Sequence, residues 1–165
     1  MGAGVPEGVE RRAGALRLTG AWIRPMAAAD VDQVARIEAG AFSTPWAATT
    51  FASLLTRSGL VLLVVEAPEA RVAGYAVLWC FADEGELANI AVDPAYRGRG
   101  LGALLLDAVL DRARARGVRQ LYLEVRESNH EAEGMYARRG FEVVGVRVGY
   151  YNDPREDARV MMKTL

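Results

Sequence analysis

Arg97-Gly98-Arg99-Gly100-Leu101-Gly102 is the stretch of this chain best equipped for chemistry, because it leads from a short apolar strand into the start of a long helix. Gly98, Gly100 and Gly102 let the backbone approach a ligand without Cβ clashes. The first helical turn, through Leu101, Gly102 and Ala103, carries N–H groups without intrahelical partners. With the helix dipole behind them, these favour an anion such as a pyrophosphate. Arg97 and Arg99 add planar cationic donors at the rim. The chemistry is phosphate binding, and the ligand a phosphate-bearing cofactor. From the residues alone, a tight turn flanked by solvated arginines is the competing reading.

Two other phosphate loops can be weighed. A Walker loop is excluded, since no Gly-Lys-Ser or Gly-Lys-Thr follows. Gly98, Gly100 and Ala103 do fit the dinucleotide pattern G-x-G-x-x-A, with Glu124 about 20 residues further on. In that pattern, however, the first glycine leaves the strand almost directly, whereas Asp93 to Arg97 intervene here. Only about 40 residues follow Glu124, too few for the βα units still to come.

The elements that must position this loop read as follows. Residues 1–20 are rich in glycine, alanine and arginine without apolar periodicity, and are expected to be a disordered leader; residues 21–165 form one domain. The leader has no apolar core of a signal peptide, and Glu7 and Glu10 argue against a transit peptide. Trp22 to Arg24 begins a strand. Asp30 with Gln33 reads as a capping box opening a helix on which Val31, Val34, Ala35 and Glu38 recur at helical spacing. Thr44 and Pro45 are expected to start a second helix with Trp46, Phe51, Leu54 and Leu55 as its buried stripe.

Leu60 to Glu66, Arg71 to Ala82 and Glu86 to Val92 read as an antiparallel meander, with a turn at Asp83-Glu84-Gly85. The helix from Leu101 ends at Gly117. Leu121, Leu123 and Val125 alternate with Tyr122 and Glu124 in a strand that should lie parallel to the one before the loop, since a helical crossover joins them. Ser128 with Glu131 reads as a capping box for a helix ending at Gly140, and two further strands close the chain. The order β-α-α-β-β-β-α-β-α-β-β makes an α/β (α+β) domain.

With 165 residues, 52% hydrophobic and 25% charged, the chain can bury one sizeable core. A net charge of −1 gives no basic field for nucleic acid. Cys80 is the only cysteine, so no internal disulfide forms, and a cytoplasmic protein is expected. It sits in an apolar run and reads as core. His130 is the only histidine and reads as an exposed first-turn residue, so a Cys/His metal site is excluded. Catalysis must then lean on carboxylate, tyrosine and backbone.

The run V-D-P-A-Y-R-G-R-G-L-G resembles the R/Q-x-x-G-x-G/A coenzyme A loop of the GNAT N-acetyltransferase superfamily, with Arg97, Gly100 and Gly102 at its defining positions. Within it the chain is similar to the RimI type, the ribosomal-protein-alanine N-acetyltransferases. That likeness is carried by F-S-T-P-W at 42–46, N-I-A-V-D-P at 89–94, L-E-V-R-E-S-N at 123–129, M-Y-A-R-R-G-F at 135–141 and Y-Y-N-D-P-R-E-D-A at 150–158. The match runs over roughly residues 22–163.

The resemblance implies the GNAT fold, a mixed, mostly antiparallel sheet flanked by helices, in which two central parallel strands splay apart around the cofactor's pantetheine arm. It implies acetyl-CoA as cofactor, bound by Arg97, Gly98, Arg99, Gly100, Leu101, Gly102 and Ala103, by the backbone of Ile90, Ala91 and Val92, and by Asn129. It implies Glu124 as general base and Tyr136 as general acid toward the departing thiolate. The residues alone leave Glu124 open to being a solvent-facing strand charge, Tyr136 a core aromatic, and Asn129 a polar residue at a helix start. Gly134, inside the helix bearing Tyr136, departs from the pattern and should cost about 1 kcal/mol against alanine.

For the acceptor, Asp83, Glu84 and Glu86 are read as an acidic cluster receiving a cationic peptide N-terminus, with Tyr150 and Tyr151 forming a slot for its first residue. A solvated turn and two half-buried aromatics is the competing reading. The expected partner is a protein or peptide N-terminus, by resemblance that of a ribosomal protein, with no nucleic acid, no membrane, and a monomer or weak dimer. Acetylation of lysine or small amines, or an idle acyl-CoA sensor, are the alternatives.

Overall fold

A computed structural model describes residues 9–12, 15–18 and 20–165. Its elements are β1 (Val9–Arg12), β2 (Ala15–Leu18), β3 (Ala21–Pro25), α1 (Val31–Ala41), α2 (Ala48–Leu54), β4 (Leu60–Ala67), β5 (Arg71–Phe81), β6 (Glu84–Val92), α3 (Leu101–Ala115), β7 (Gln120–Arg126), α4 (His130–Arg138), β8 (Glu142–Asn152) and β9 (Arg155–Thr164). From β3 onward the order is the expected one. The expected leader is different where it is described, because β1 and β2 pair antiparallel and β2 joins β3 through Arg17–Trp22 and Leu18–Ala21. A neighbouring strand supplies that pairing, which local periodicity does not register. The rest of the expected leader, residues 1–8, 13–14 and 19, lies outside the described residues.

The described strands form one sheet in the order β1-β2-β3-β4-β5-β6-β7-β9-β8. Every neighbouring pair is antiparallel except β6 and β7, which are parallel. Buried on both faces, β4 sends Leu63 and Val65 toward α3, and Leu62 and Val64 toward α1 and α2. That is why it reads as an unbroken apolar run. Leu105 is fully buried on the α3 face, so truncation to alanine there costs about 2–5 kcal/mol.

The helix expected from Leu101 starts there, whereas the three expected caps are corrected. Asp30 accepts from the Ala27 N–H and pairs with Arg24, while Gln33 reaches across to accept from the Val72 N–H, so no Asp30/Gln33 box forms. The second helix begins at Ala48, with Ala47 and not Thr44 before it. Asn129, not Ser128, caps α4 by accepting from the Ala132 N–H at 3.2 Å. In the first and third cases a polar side chain had a tertiary or neighbouring partner that a local motif does not reveal.

The centre of the sheet is interrupted. β6 pairs with β7 only from Glu84–Gln120 to Leu87–Leu123, and beyond that β7 continues with β9 alone. On the other side of β6, the register with β5 passes from Leu78–Leu87 to Val77–Asn89, leaving Ala88 as an extra residue. Such a bulge bends a strand and sharpens its twist. Leu87, Ile90 and Val92 pack on the α3 face, whereas Ala88 and Asn89 both face α1, followed by Ala91. The bulge therefore falls where the two parallel strands part.

Candidate active site

Asp93 to Arg97 deliver the chain from the parted end of β6 to the glycine loop. The Asp93 N–H donates to the Ala73 carbonyl at 2.8 Å, its carboxylate accepts from the Ala95 N–H at 2.9 Å, and Pro94–Tyr96 form one 3₁₀ turn. Arg97 Nε donates to the Val92 carbonyl at 3.2 Å, and Arg99 lies 5.3 Å from the centre of the Tyr96 ring. Gly98 and Gly100 adopt φ of 75° and 77°, a left-handed backbone that favours glycine. A Cβ on Gly98 would meet no atom within 4 Å, so no packing inside the protein excludes a side chain there. The exposed loop and the first turn of α3 thus present N–H donors and two arginines to the outside. This donor set fits a pyrophosphate.

Ile90, Ala91 and Val92 pair with Ala76, Tyr75 and Gly74 of β5, and on the side of β7 no described strand pairs with them. Their side chains are half-buried and pack against the two cores. Their open backbone edge is the feature available to a ligand.

Glu124 follows Leu123, the last residue of β7 paired to β6. Its side chain is only 15% exposed, and Arg147 Nε lies 2.8 Å from its Oε1. Tyr150 donates its hydroxyl to the same carboxylate, which pushes the phenol up to about 12. Glu124 lines a cavity of about 390 Å³ together with Trp79, Phe81, Glu84, Glu86 and Tyr122. Burial, and then the neighbouring Glu124, push the Glu86 carboxyl up. Burial, and then Glu124, do the same to the Tyr151 phenol. Glu84, Glu86, Tyr150 and Tyr151 therefore gather around Glu124. Asp83 does not: it occupies the β5–β6 turn outside the cavity lining, with its carbonyl accepting from the Arg119 and Gln120 N–H groups.

Tyr136 is 5% exposed and packs with the α3 core, its ring in an edge contact with Phe141 at 5.8 Å. Burial pushes its phenol well up, so the hydroxyl keeps its proton. Since Leu123 and Val125 belong to the α3 core, Glu124 lies on the opposite face of the sheet from Tyr136. Asn129 stands exposed at the start of α4, as does His130.

The sequence model of the acetyltransferase (GNAT) family matches residues 31–141. The chain belongs to this family. It is 39% identical over 134 residues to the ribosomal protein bS18-alanine N-acetyltransferase of Escherichia coli K12, covering 80% of this chain and 89% of that one. With the enzyme of that name from Haemophilus influenzae, it shares 37% over 142 residues, 84% of this chain and 95% of the other. The crystal structure of the Escherichia coli S18-alanine N-acetyltransferase superposes with a TM-score of 0.80 at 36% identity, covering 87% of this chain and 93% of that one. Ard1 from Thermoplasma volcanium superposes with a TM-score of 0.81 at 26% identity, covering 88% and 98%. The GNAT fold expected from the motifs is confirmed.

Three residues of this GNAT site escape a reading of motifs. Arg126 donates to Ser43 Oγ, the Asp153 and Pro154 carbonyls and Glu156, and its guanidinium lies 4.1 Å from the Tyr151 ring. It clasps the α1–α2 loop to the β8–β9 turn. Its place one alternation after Glu124 is the only sequence signal for it. Glu38 is 1% exposed and fully hydrogen-bonded, and its signal was an ionisable residue in the apolar stripe of α1. Arg147 carries no signal, because its pairing with Glu124 depends on how β8 is registered.

Proposed function

We propose that this GNAT chain transfers acetyl from acetyl-CoA to the α-amine at the N-terminus of a protein, its substrate being the N-terminal alanine of a small-subunit ribosomal protein equivalent to bS18. The observation that carries this reading is the setting of Glu124. The carboxylate sits at the parting of β6 and β7, in a cavity shared with Glu84 and Glu86, on the face opposite Tyr136. The names of the curated relatives support the alanine terminus.

Arg97 to Ala103 would hold the cofactor's phosphates, the open edge of Ile90 to Val92 and the Asn129 side chain its pantetheine arm. When bound, acetyl-CoA supplies a thioester carbonyl to the gap. An N–H on the open edge of β6 stabilises negative charge developing on the carbonyl oxygen. Glu124 takes a proton from the incoming amine, directly or through one water, and the Tyr136 hydroxyl gives a proton to the leaving sulfur. An α-amine has a pKa near 8, against about 10.4 for lysine, so roughly a tenth of it is neutral at pH 7. One ordinary carboxylate suffices for that acceptor. Arg126, by clasping the two loops over the acceptor face, shapes a slot suited to a chain end.

Direct attack is favoured over an acetyl-enzyme, since Cys80 lies outside the cavity lining and burial pushes its thiol up, away from the reactive thiolate. No helix among the described residues is long and apolar enough to cross a membrane, and we place the protein in the cytoplasm as a monomer or weak dimer.

The test is mass spectrometry of peptides beginning with alanine, each paired with a version blocked at the α-amine but retaining a free lysine. Acetyl is expected only on the free α-amine. Glu124→Gln should lower kcat about a hundredfold, with partial recovery as pH rises and the amine loses its proton unaided. Labelling of lysine, or of free polyamines alone, would overturn the N-terminal assignment.

A further inference from the structure

A buried carboxylate that no step of this chemistry uses lies beneath the bulge. Glu38 Oε1 accepts from the Trp46 N–H at 3.0 Å and from Asn89 Nδ2 at 3.0 Å; Oε2 accepts from the Tyr75 hydroxyl and from Asn89 Nδ2 at 3.1 Å. One side chain thus joins α1, the α1–α2 loop, β5 and β6. A carboxylate without water is costly to bury unless donors surround it. Each of these groups donates to Glu38, which suits a carboxylate; an amide in its place would turn its NH2 toward the Asn89 NH2 and take from the Tyr75 hydroxyl the acceptor it donates to.

We propose that Glu38 is a positioning residue for acetyl-CoA binding. It holds the β6 bulge, and so keeps the open edge of Ile90 to Val92 in the register the cofactor requires. This rests on the reading that this edge receives the pantetheine arm. The bulge is what brings Asn89 to the α1 face beside Ala88. In a regular strand, alternation would turn Asn89 into the apolar α3 face and carry Ile90 toward Glu38. That arrangement leaves a buried carboxylate short of two donor contacts and a carboxamide unpaired, so the Glu38–Asn89 pair selects the bulged register. The backbone of Ile90 to Val92, which starts one residue later, is oriented by that choice.

The test measures acetyl-CoA affinity by calorimetry, alongside steady-state kinetics, for Asn89→Ala, Glu38→Gln and the reciprocal Glu38→Gln/Asn89→Asp. Val34→Ala, buried on the same helix, serves as control. Both single variants should weaken acetyl-CoA binding at least about tenfold, the factor expected for a hydrogen bond to a charged group, with a smaller fall in kcat at saturating cofactor. Amide exchange at Ile90 to Val92 should quicken, and the reciprocal pair should recover most of the affinity. The control should lower Tm and leave affinity unchanged. Folded Asn89→Ala that binds like the wild type overturns the proposal, as does Val34→Ala weakening binding equally. Wild-type protein that binds no acetyl-CoA overturns the cofactor reading with it, whereas tight wild-type binding and unaffected variants overturn this one alone.

Discussion

Arg147 Nε lies 2.8 Å from Glu124 Oε1, and the same guanidinium sits 5.6 Å from the centre of the Tyr150 ring. The carboxylate assigned to receive the amine proton is thus held by a cation from β8 before any substrate arrives. Arg147 is largely exposed, so the pair is weak and can yield. Arg147→Ala removes the competitor, and the peptide KM should fall by up to about fivefold, the factor an exposed ion pair is worth. The KM for acetyl-CoA should stay as it is. Arg147 is also the cation that opposes the upward push on Glu86, so the Glu86 carboxyl should titrate at higher pH in the variant when followed by NMR. A peptide KM that rises instead would show that Arg147 helps to bind the acceptor.

Tyr136→Phe removes one hydroxyl from a buried ring while keeping its packing on Phe141. If the hydroxyl donates to the leaving sulfur, kcat falls about a hundredfold while Tm changes little. Because burial raises this phenol well above its ordinary value, it stays protonated throughout the working range. The pH–rate profile of the wild type should therefore show no alkaline limb below pH 10 that vanishes in the variant.

Gly134 is the one glycine within α4, and a Cβ placed there would lie 3.3 Å from Arg138 Nη1, the far end of a flexible side chain. Arg138 can swing away, so the helical preference decides the sign. Gly134→Ala should stabilise the protein by about 0.5–1 kcal/mol, or roughly 2–4 °C in Tm per kcal/mol at this size. Thermal unfolding that shifts downward would mean that Arg138 is fixed in place.

The Arg24 guanidinium donates to both oxygens of Asp30, at 2.7 and 2.8 Å, and also pairs with Glu66. Its hydrogen bonds hold the Asp30 carboxyl below its ordinary range. A carboxyl depressed in the folded state stabilises above its unfolded pKa, about 3.9, and that contribution disappears as pH falls through the folded value. Arg24→Ala should cost about 1.5–3 kcal/mol at pH 7. Denaturant melts of the two proteins should begin to converge as pH falls below about 4 and continue to do so through the lower folded value of Asp30; a gap that does not narrow at all between about pH 4 and pH 2 would mean that packing, not charge, accounts for the loss.

The order of elements was legible because each buried strand and each helix carries its own periodicity, from Leu62 to Val65 in β4 to the leucines of α3. The glycine loop was legible for a related reason: left-handed backbone at Gly98 and Gly100 restricts the residue type. Asp30, Thr44 and Ser128 misled because a capping motif states a local option, and tertiary donors such as Arg24 took the first of them away. The bulge at Ala88 was not legible, and the partners of Arg126 were not, although its place on the strand was. The bulge is a register shift within the β5–β6 pair, which strand periodicity does not record, and Arg126 finds acceptors up to 83 residues away. Asp83 was grouped with Glu86 by proximity along the chain, yet the turn between β5 and β6 carries it away from the cavity.

Strand pairing joins the two halves of the sheet across β6 and β7 over only four residue pairs, Glu84–Gln120 to Leu87–Leu123. Past those four pairs the halves stay joined through side chains, because Leu121, Leu123 and Val125 of β7 share one core with Leu63 and Val65 of β4 beneath α3. The wedge is thus open in its backbone and continuous in its core, so an arm laid along it finds peptide groups to pair with and displaces none of the apolar packing below.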